Sequence, residues 1–341
     1  MVLLYLAPHT MARVRLRETR RGMVDNTRSS RRKSGPGVSA VLSRPSEPAL
    51  PERPRPPNHE VREIVTSTID ERRLISIDAE RSAQALAAGA IVAHAFANFY
   101  VITTRADQET VRRVNLMKGR PAGQVGSITV PPSAIPAVWD FRQLPARLTR
   151  RSVLQLIDTL FGMGPFGFRG PAAAWVPAHL TFPDGAVNTA QVIAPGYACP
   201  SNDFLGRSIR ATGDDLLYIT SANRSRHLTG ADHSPAHWRA AGLRAEFGHE
   251  PGFLVLEHDD EDLARARYPR HAPMSTTVIG FHRVEHVPGD PRPHLILERH
   301  GSMHIDDVRS VLDSLGFGLV VGPKSRTRLL QRDYSVRLAD R

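Results

Sequence analysis

The chain has 341 residues, enough for one large domain or two smaller ones, and its 41% hydrophobic content with mixed charges is typical of a globular protein. No apolar run approaches the roughly 20 residues that cross a bilayer, and the positive charge of the N-terminus follows the short apolar stretch MVLLYLAP, unlike a secretory signal. A single cysteine, Cys199, excludes an intrachain disulfide and a multi-cysteine zinc site, so we expect a soluble cytoplasmic protein without a membrane partner.

The net charge of +11 is concentrated at the N-terminus. Residues 1–59 contain twelve basic and four acidic residues and thus account for +8, and they are rich in proline, serine and glycine. We predict a disordered basic arm over residues 1–60. Two interpretations stay open: the arm binds RNA, or translation starts later, at Met11 or Met23.

From about Val61 helical and strand patterns alternate. Asp78 can cap a helix over 79–88 that ends at Gly89, and Asp107 can cap the next helix, which ends at Lys118. Further helices are predicted at 153–161, 204–210, 235–247 and 305–315. Strands are predicted at 91–96, 99–104, 127–130, 190–194, 216–219, 253–257, 275–281 and 294–297.

Interleaved helices and strands predict an α/β fold with a mixed sheet, in a domain over residues 61–323. The remaining residues, 324–341, are basic and polar and predict an exposed tail.

Polar residues follow the apolar strand pattern at 216–219 in the stretch YITSANRS. Polar groups at the C-terminal end of a buried strand are candidate ligand contacts in open α/β sheets. Serine and asparagine also satisfy backbone groups in an ordinary turn, so this stretch alone leaves both interpretations open.

The usual phosphate-binding and metal-binding motifs are not found. The stretch FGMGPFGFRG (161–170) lacks the context of a dinucleotide loop, and its glycines predict turns. His227, His233 and His237 have no accompanying ligand pattern, and the acidic run 258–262 is typical of a helix start. We therefore predict no metal site.

Lys118 and Arg120 are unusual because only three of the 45 basic residues are lysines. Two cations in Lys-x-Arg at a helix end repel each other unless an anion lies between them. The alternative is a solvated helix end that complements the helix dipole.

Four short motifs occur in a characteristic order: LMKGRP (116–121), TSANRS (220–225), STTV (275–278) and ILERHGSMHIDDVRSVL (296–312). In this order they resemble the YrdC-like family, whose best-known members are threonylcarbamoyl-adenylate synthases. The resemblance spans about residues 61–318. It implies a twisted mixed sheet with surrounding helices and a basic central cavity.

The resemblance also implies an activity, in which threonine, bicarbonate and ATP with Mg²⁺ give threonylcarbamoyl-adenylate for tRNA modification. We also expect tRNA or another RNA as a partner, bound through the basic cavity that the resemblance implies or through the charged N-terminal arm. By motif position Lys118 and Arg120 would be catalytic. The substrate-binding residues would be Tyr100, Ser221, Asn223, Ser275, Thr276 and Arg299.

The chain departs from the family pattern at several positions. The stretch AFANFYVIT (95–103) matches a P-T-[ED]-T-x-Y-G-L-G segment only at Tyr100, and Phe96 and Asn98 stand at its threonine positions. Ile193 stands at the arginine of a V-R-x-P element. This divergent member is therefore an acyl-adenylate-forming enzyme, a non-catalytic RNA- or nucleotide-binding protein with a degenerate threonine site, or a protein of unrelated function.

Overall fold

A computed structural model describes residues 71–225 and 235–335 of the chain. The chain divides into two units at Pro56/Pro57, and all described residues fall in the second. The predicted arm and the histidines at 227 and 233 lie outside the described residues. In the described part, no helix has the length and apolar character needed to cross a membrane.

Helices and strands alternate along the described part of the chain. The α-helices are α1 (Glu71–Ala87), α2 (Gln108–Met117), α3 (Arg150–Met163), α4 (Ser201–Thr212), α5 (Ala240–Phe247), α6 (Glu261–Arg267) and α7 (Ile305–Ser314). The strands are β1 (Ile91–Phe96), β2 (Phe99–Arg105), β3 (Ser127–Thr129), β4 (Phe166–Pro171), β5 (Phe182–Asp184), β6 (Val187–Ala194), β7 (Leu217–Ser221), β8 (Phe253–Leu256), β9 (Val278–Val287), β10 (Asp290–Arg299) and β11 (Gly318–Val321).

The strands form one mixed sheet, which confirms the predicted fold class. Within the described residues its order is β11-β10-β9-β4-β6-β3-β7-β2-β1-β8, and β5 pairs with β6. The short β3 lies at the centre, parallel to β6 and antiparallel to β7. Strands distant in sequence thus become neighbours there.

Strand alternation divides the central side chains between two faces of the sheet. Tyr100 and Ile102 of β2 pack into the main apolar core together with Val192 of β6. Phe99 and Val101 belong to a second apolar cluster, on the opposite face, with Ile193 of β6. The second face is the one that lines the cavity described below.

Some element boundaries differ from the sequence predictions. Helix α1 begins at Glu71, so Asp78 lies inside it and does not cap it. Helix α5 begins only at Ala240, five residues later than predicted. The cap of α2 is confirmed, because the Asp107 side chain accepts a hydrogen bond from the Thr110 backbone N–H at 2.9 Å.

The glycine-rich stretch predicted as turns contains the inner strand β4, which pairs with β6 and β9. A Cβ at Gly167 would lie 2.6 Å from Ile193 Cδ1, and one at Gly170 would lie 2.2 Å from the Phe281 ring. These glycines make room for large neighbours on the adjacent strands. The turn prediction holds for Gly164, which ends α3 with a φ of 144°, but was wrong for Gly167 and Gly170, because close packing as well as chain reversal requires glycine.

The described part of the predicted tail, 324–335, packs against the domain. Ser325 is buried, and the Leu329 N–H donates to the His300 carbonyl at 2.9 Å. The Trp238 indole donates to the Arg332 carbonyl at 2.8 Å, and the Tyr334 ring meets the Trp238 ring edge-on. Most of residues 324–335 are nevertheless exposed, so the expectation of an exposed basic tail stays a prediction, and we call these residues the C-terminal segment.

Candidate functional site

A cavity of about 310 Å³ lies on the second face of the sheet, at the ends of the central strands. Its floor is formed by side chains of β2, β3, β6 and β7. The loop between α2 and β3, the loop before β9 and the end of β10 provide polar walls. The cavity is lined by Phe99, Val101, Arg120, Gln124, Val125, Gly126, Ser127, Phe182, Gln191, Ile193, Ile219, Thr220, Ser221, Asn223, Pro235, Ala236, Ser275, Thr276, Arg299, Leu329 and Leu330.

Arg120 lines this cavity from the loop that follows α2. Its Nη1 donates to Thr220 Oγ1 at 2.8 Å, while its buried Nε has no hydrogen-bond partner among the described residues. Burial lowers the pKa of Arg120, and the nearby Tyr218 hydroxyl partly opposes this. The guanidinium has no carboxylate partner in the part of the chain that the structure describes.

Arg299, at the end of β10, is the second cation of the cavity. Its Nε donates to the Thr276 carbonyl and its Nη2 to Thr276 Oγ1, both at 2.7 Å. Burial, and secondarily the charge of Arg120, lower the pKa of Arg299 to about 10. No carboxylate within residues 71–225 or 235–335 pairs with it. Thr276 thus fixes the guanidinium, and the neighbouring positive charge is uncompensated.

The polar residues at the end of β7 reach the same cavity. Thr220, Ser221 and Asn223 line it, and the Ser221 hydroxyl donates to Asn223 Oδ1. Asn223 is 3% exposed and also donates to the Arg224 carbonyl at 3.0 Å. The polar residues of YITSANRS therefore do both things that the sequence left open: they line a cavity and they form local turn contacts.

Lys118 is buried directly behind the cavity wall. Its side chain is 0% exposed, and its Nζ donates to the Ser221 carbonyl. Burial, followed by the charge of Arg120, holds the pKa of Lys118 well below its usual range. Lys118 therefore supports the end of β7, whereas Arg120 lines the cavity.

Tyr100 lies away from the cavity, on the opposite face of the sheet. Its hydroxyl donates to Glu261 Oε1 at 3.0 Å and accepts from the His258 N–H at 3.1 Å. Burial raises the pKa of this hydroxyl. Of the eight residues singled out from the sequence, six line the cavity, while Tyr100 and Lys118 do not.

Phe96 and Asn98, which stand at the threonine positions of the family segment, have structural roles in the β1–β2 hairpin. Phe96 is fully buried in the apolar cluster with Phe99, Val101 and Ile193. Asn98 is 2% exposed and donates to the His271 carbonyl at 2.7 Å. Neither side chain lines the cavity.

Most residues of the cavity floor have no motif in the sequence that marks them. Gln191 donates to Ser127 Oγ at 2.7 Å, and Phe99, Val101 and Ile219 form an apolar surface beside this pair. Alternation along β2 could have identified Phe99 and Val101, because they flank Tyr100 and face the other way. The pairing of β3 with β6 depends on tertiary structure and gives no local signal.

The described lining residues include no aspartate or glutamate, and no group of three or more metal-ligating side chains occurs in the described part. Mg²⁺ prefers carboxylate, carbonyl and water oxygens. The residues present therefore do not fit a protein-held magnesium ion.

No protein-family model matches the sequence, and no curated protein is significantly similar to it. Among solved structures, a double variant of P. abyssi Sua5 superposes with a TM-score of 0.50 at 19% identity, covering 74% of this chain and 63% of that one. P. abyssi Sua5 complexed with L-threonine superposes with a TM-score of 0.47 at 18% identity, covering 78% of this chain and 66% of that one. A hypothetical protein from Streptococcus mutans superposes with a TM-score of 0.48 at 15% identity, covering 71% of this chain and 94% of that one.

This chain spans only about two thirds of the length of Sua5. At 19% identity the likeness concerns the fold alone, which in this chain is a mixed sheet with surrounding helices. The fold of this chain is that of the Sua5/YrdC proteins, in agreement with the order of its four motifs.

Proposed function

We propose that the cavity binds ATP and a carboxylate substrate and joins them as an acyl-adenylate, in a reaction related to that of threonylcarbamoyl-adenylate synthases. The observation that supports this proposal is the pair Arg120 and Arg299, two neighbouring cations at one cavity without a carboxylate partner in the described residues. The proposed product would serve tRNA modification.

The two arginines are better suited to a ligand than to the fold. Burial of a guanidinium without a counter-ion is costly, and the neighbouring cation adds to that cost. An anion between Arg120 and Arg299 would remove both penalties and accept charge-assisted hydrogen bonds. A triphosphate has the required density of charge and acceptors.

In the proposed reaction a carboxylate oxygen forms a bond to the α-phosphorus of ATP. The bond from that phosphorus to the bridging oxygen breaks, and pyrophosphate leaves with the electron pair. Arg120 and Arg299 stabilise the negative charge on the phosphoryl oxygens and the leaving group. Ser221 and Asn223 orient the reactants by hydrogen bonds, so that no protein nucleophile is required.

Non-catalytic nucleotide binding is the second candidate function, and the position of Lys118 favours it. This lysine donates to the Ser221 carbonyl behind the wall, so it adds no charge to the cavity itself. RNA binding through the arm remains a prediction, since residues 1–60 lie outside the described part.

Calorimetry with ATP tests the binding proposal. We expect the variants R120M and R299M to lose roughly ten- to hundredfold in affinity, because each loses a charge-assisted contact that contributes about 1.5–3 kcal/mol. R142M is a matched control, since Arg142 is 88% exposed and pairs with Asp140. Wild-type affinity in both cavity variants would rule the proposal out.

Pyrophosphate release separates the two candidate functions. The wild-type protein is mixed with ATP, bicarbonate and a panel of amino acids, and R299M serves as the inactive comparison. Amino-acid-dependent release that R299M lacks supports the enzyme. ATP binding without release for any amino acid supports the non-catalytic candidate.

A further inference from the structure

Beside the polar pair Gln191 and Ser127, the floor of the cavity has an apolar part that three strands provide. Phe99 and Val101 of β2, Ile219 of β7 and Ile193 of β6 all line it. They belong to one apolar cluster, in which each is at most 5% exposed. A ligand that lies against this floor meets hydrocarbon on one side.

Ile193 is held in place by its neighbours. Its Cδ1 would lie 2.6 Å from a Cβ at Gly167, so that the absence of a side chain at 167 makes room for it. Val278 packs in the same cluster. In the motif that the chain resembles, an arginine stands at position 193, and here the floor lacks that charge.

The two cations of the cavity lie together, and Arg120 reaches Thr220 at the end of β7. Arg120 is close enough to Arg299 to lower its pKa, and both come from loops or strand ends rather than from the floor strands. The cavity thus offers one anion-binding wall and one apolar surface. An amphiphilic acid is complementary to both at once.

We infer that the carboxylate substrate is an acid with an apolar side chain, such as a branched aliphatic or aromatic amino acid, and that the floor selects against a hydroxylated one. This inference rests on the proposed function. A hydroxyl placed against Val101, Ile193 and Ile219 loses its hydrogen bonds to water and meets hydrocarbon. The polar pair beside this surface, Gln191 and Ser127, is already joined by a hydrogen bond of 2.7 Å. A methyl group at the same position buries hydrocarbon surface instead.

L-valine and L-threonine are the sharpest pair of probes, because they have the same shape and differ by one methyl group and one hydroxyl. Each is titrated into the full-length protein saturated with ATP, in the presence of bicarbonate, and binding is measured by calorimetry. We expect valine to bind roughly ten- to hundredfold more tightly than threonine. L-leucine and L-phenylalanine extend the series toward larger apolar groups.

The variant V101T tests the floor itself, because it adds a hydroxyl at nearly constant volume. It should lower the ratio of valine affinity to threonine affinity by at least threefold. V255T is the matched control, since Val255 is half-buried in β8 and does not line the cavity. The control should keep the wild-type ratio.

Other outcomes separate the inference from the proposal beneath it. If ATP binds but threonine binds as tightly as valine or more tightly, the inference is overturned and the proposed function stands. If V101T weakens ATP binding, the nucleotide base occupies the floor and the inference is overturned. If ATP does not bind the wild-type protein, the proposed function fails, and the inference fails with it.

Discussion

Lys118 and Arg120 are two residues apart in the sequence, yet the structure gives them different environments. Arg120 lines the cavity, and Lys118 donates to the Ser221 carbonyl from behind its wall. The Lys-x-Arg spacing drew attention to the helix end. It could not tell the two cations apart, because that depends on which of them faces the cavity.

The variant K118M measures this difference. We expect its ATP affinity to fall less than about threefold, against the ten- to hundredfold loss of R120M, because no ligand contact is removed. Methionine fills a similar volume but leaves the Ser221 carbonyl without its Lys118 donor, so the free energy of unfolding should fall by about 1–3 kcal/mol. Calorimetry and urea denaturation on both variants check this, and equal losses of affinity would place Lys118 in contact with the ligand.

At the scale of elements, Gly301 joins two parts of the site. A Cβ at this position would lie 2.2 Å from the Ser275 carbonyl oxygen and 2.5 Å from that of Thr276. Both segments are backbone, so neither can yield as a flexible side chain would. The glycine of the Arg-His-Gly motif is therefore required for the contact between the end of β10 and the loop before β9.

We predict that G301A lowers the free energy of unfolding by about 1–3 kcal/mol through overpacking. It should also weaken ATP binding, because Thr276 holds the Arg299 guanidinium. The control is G123A, since a Cβ at Gly123 meets no atom within 4 Å. Denaturation midpoints measured for both variants compare their stabilities. A G301A protein as stable as the G123A control would contradict the predicted loss of stability.

The sequence predicted those features that depend on local pattern. The strand ending in Thr220–Asn223, the cap at Asp107 and the helix 305–315 follow from periodicity and capping, and the structure confirms them within a residue or two. Features that depend on tertiary packing could not be predicted from local pattern. Tyr100 matches a motif, but strand alternation places its side chain on the face opposite the cavity, and Gly167 marks close packing in a strand.

At the scale of the whole molecule, several buried histidines make the fold sensitive to acid. Burial lowers the pKa of His94 to about 3, and mainly burial lowers those of His258 and His271 to about 4. In the unfolded chain histidine titrates near 6.5. Between about pH 6.5 and 4 the unfolded state therefore binds more protons, and stability falls as the pH falls.

We expect the free energy of unfolding to be highest above pH 6.5 and to decrease below it. Each of these histidines contributes up to about 1.4 kcal/mol per pH unit within that window. The variant H94Q should show a shallower decrease, by about one proton, because glutamine can still meet Thr103 Oγ1 without titrating. Urea denaturation at pH 5, 6 and 7 measures the slopes, and identical slopes would contradict this assignment.

The residues that line the cavity come from distant parts of the chain. Phe99 and Arg299 are 200 positions apart, and Gly167 of β4 pairs with Val278 of β9 in parallel. Pairing between strands so distant in sequence gives a high contact order. Folding of such a chain is slow, because the entropy of closing long loops is lost before the contacts form. We therefore expect slow folding, with the cavity completed only when β9 and β10 have joined the sheet. A ligand bound there stabilises the native state against global unfolding, because no smaller folded unit contains its binding site.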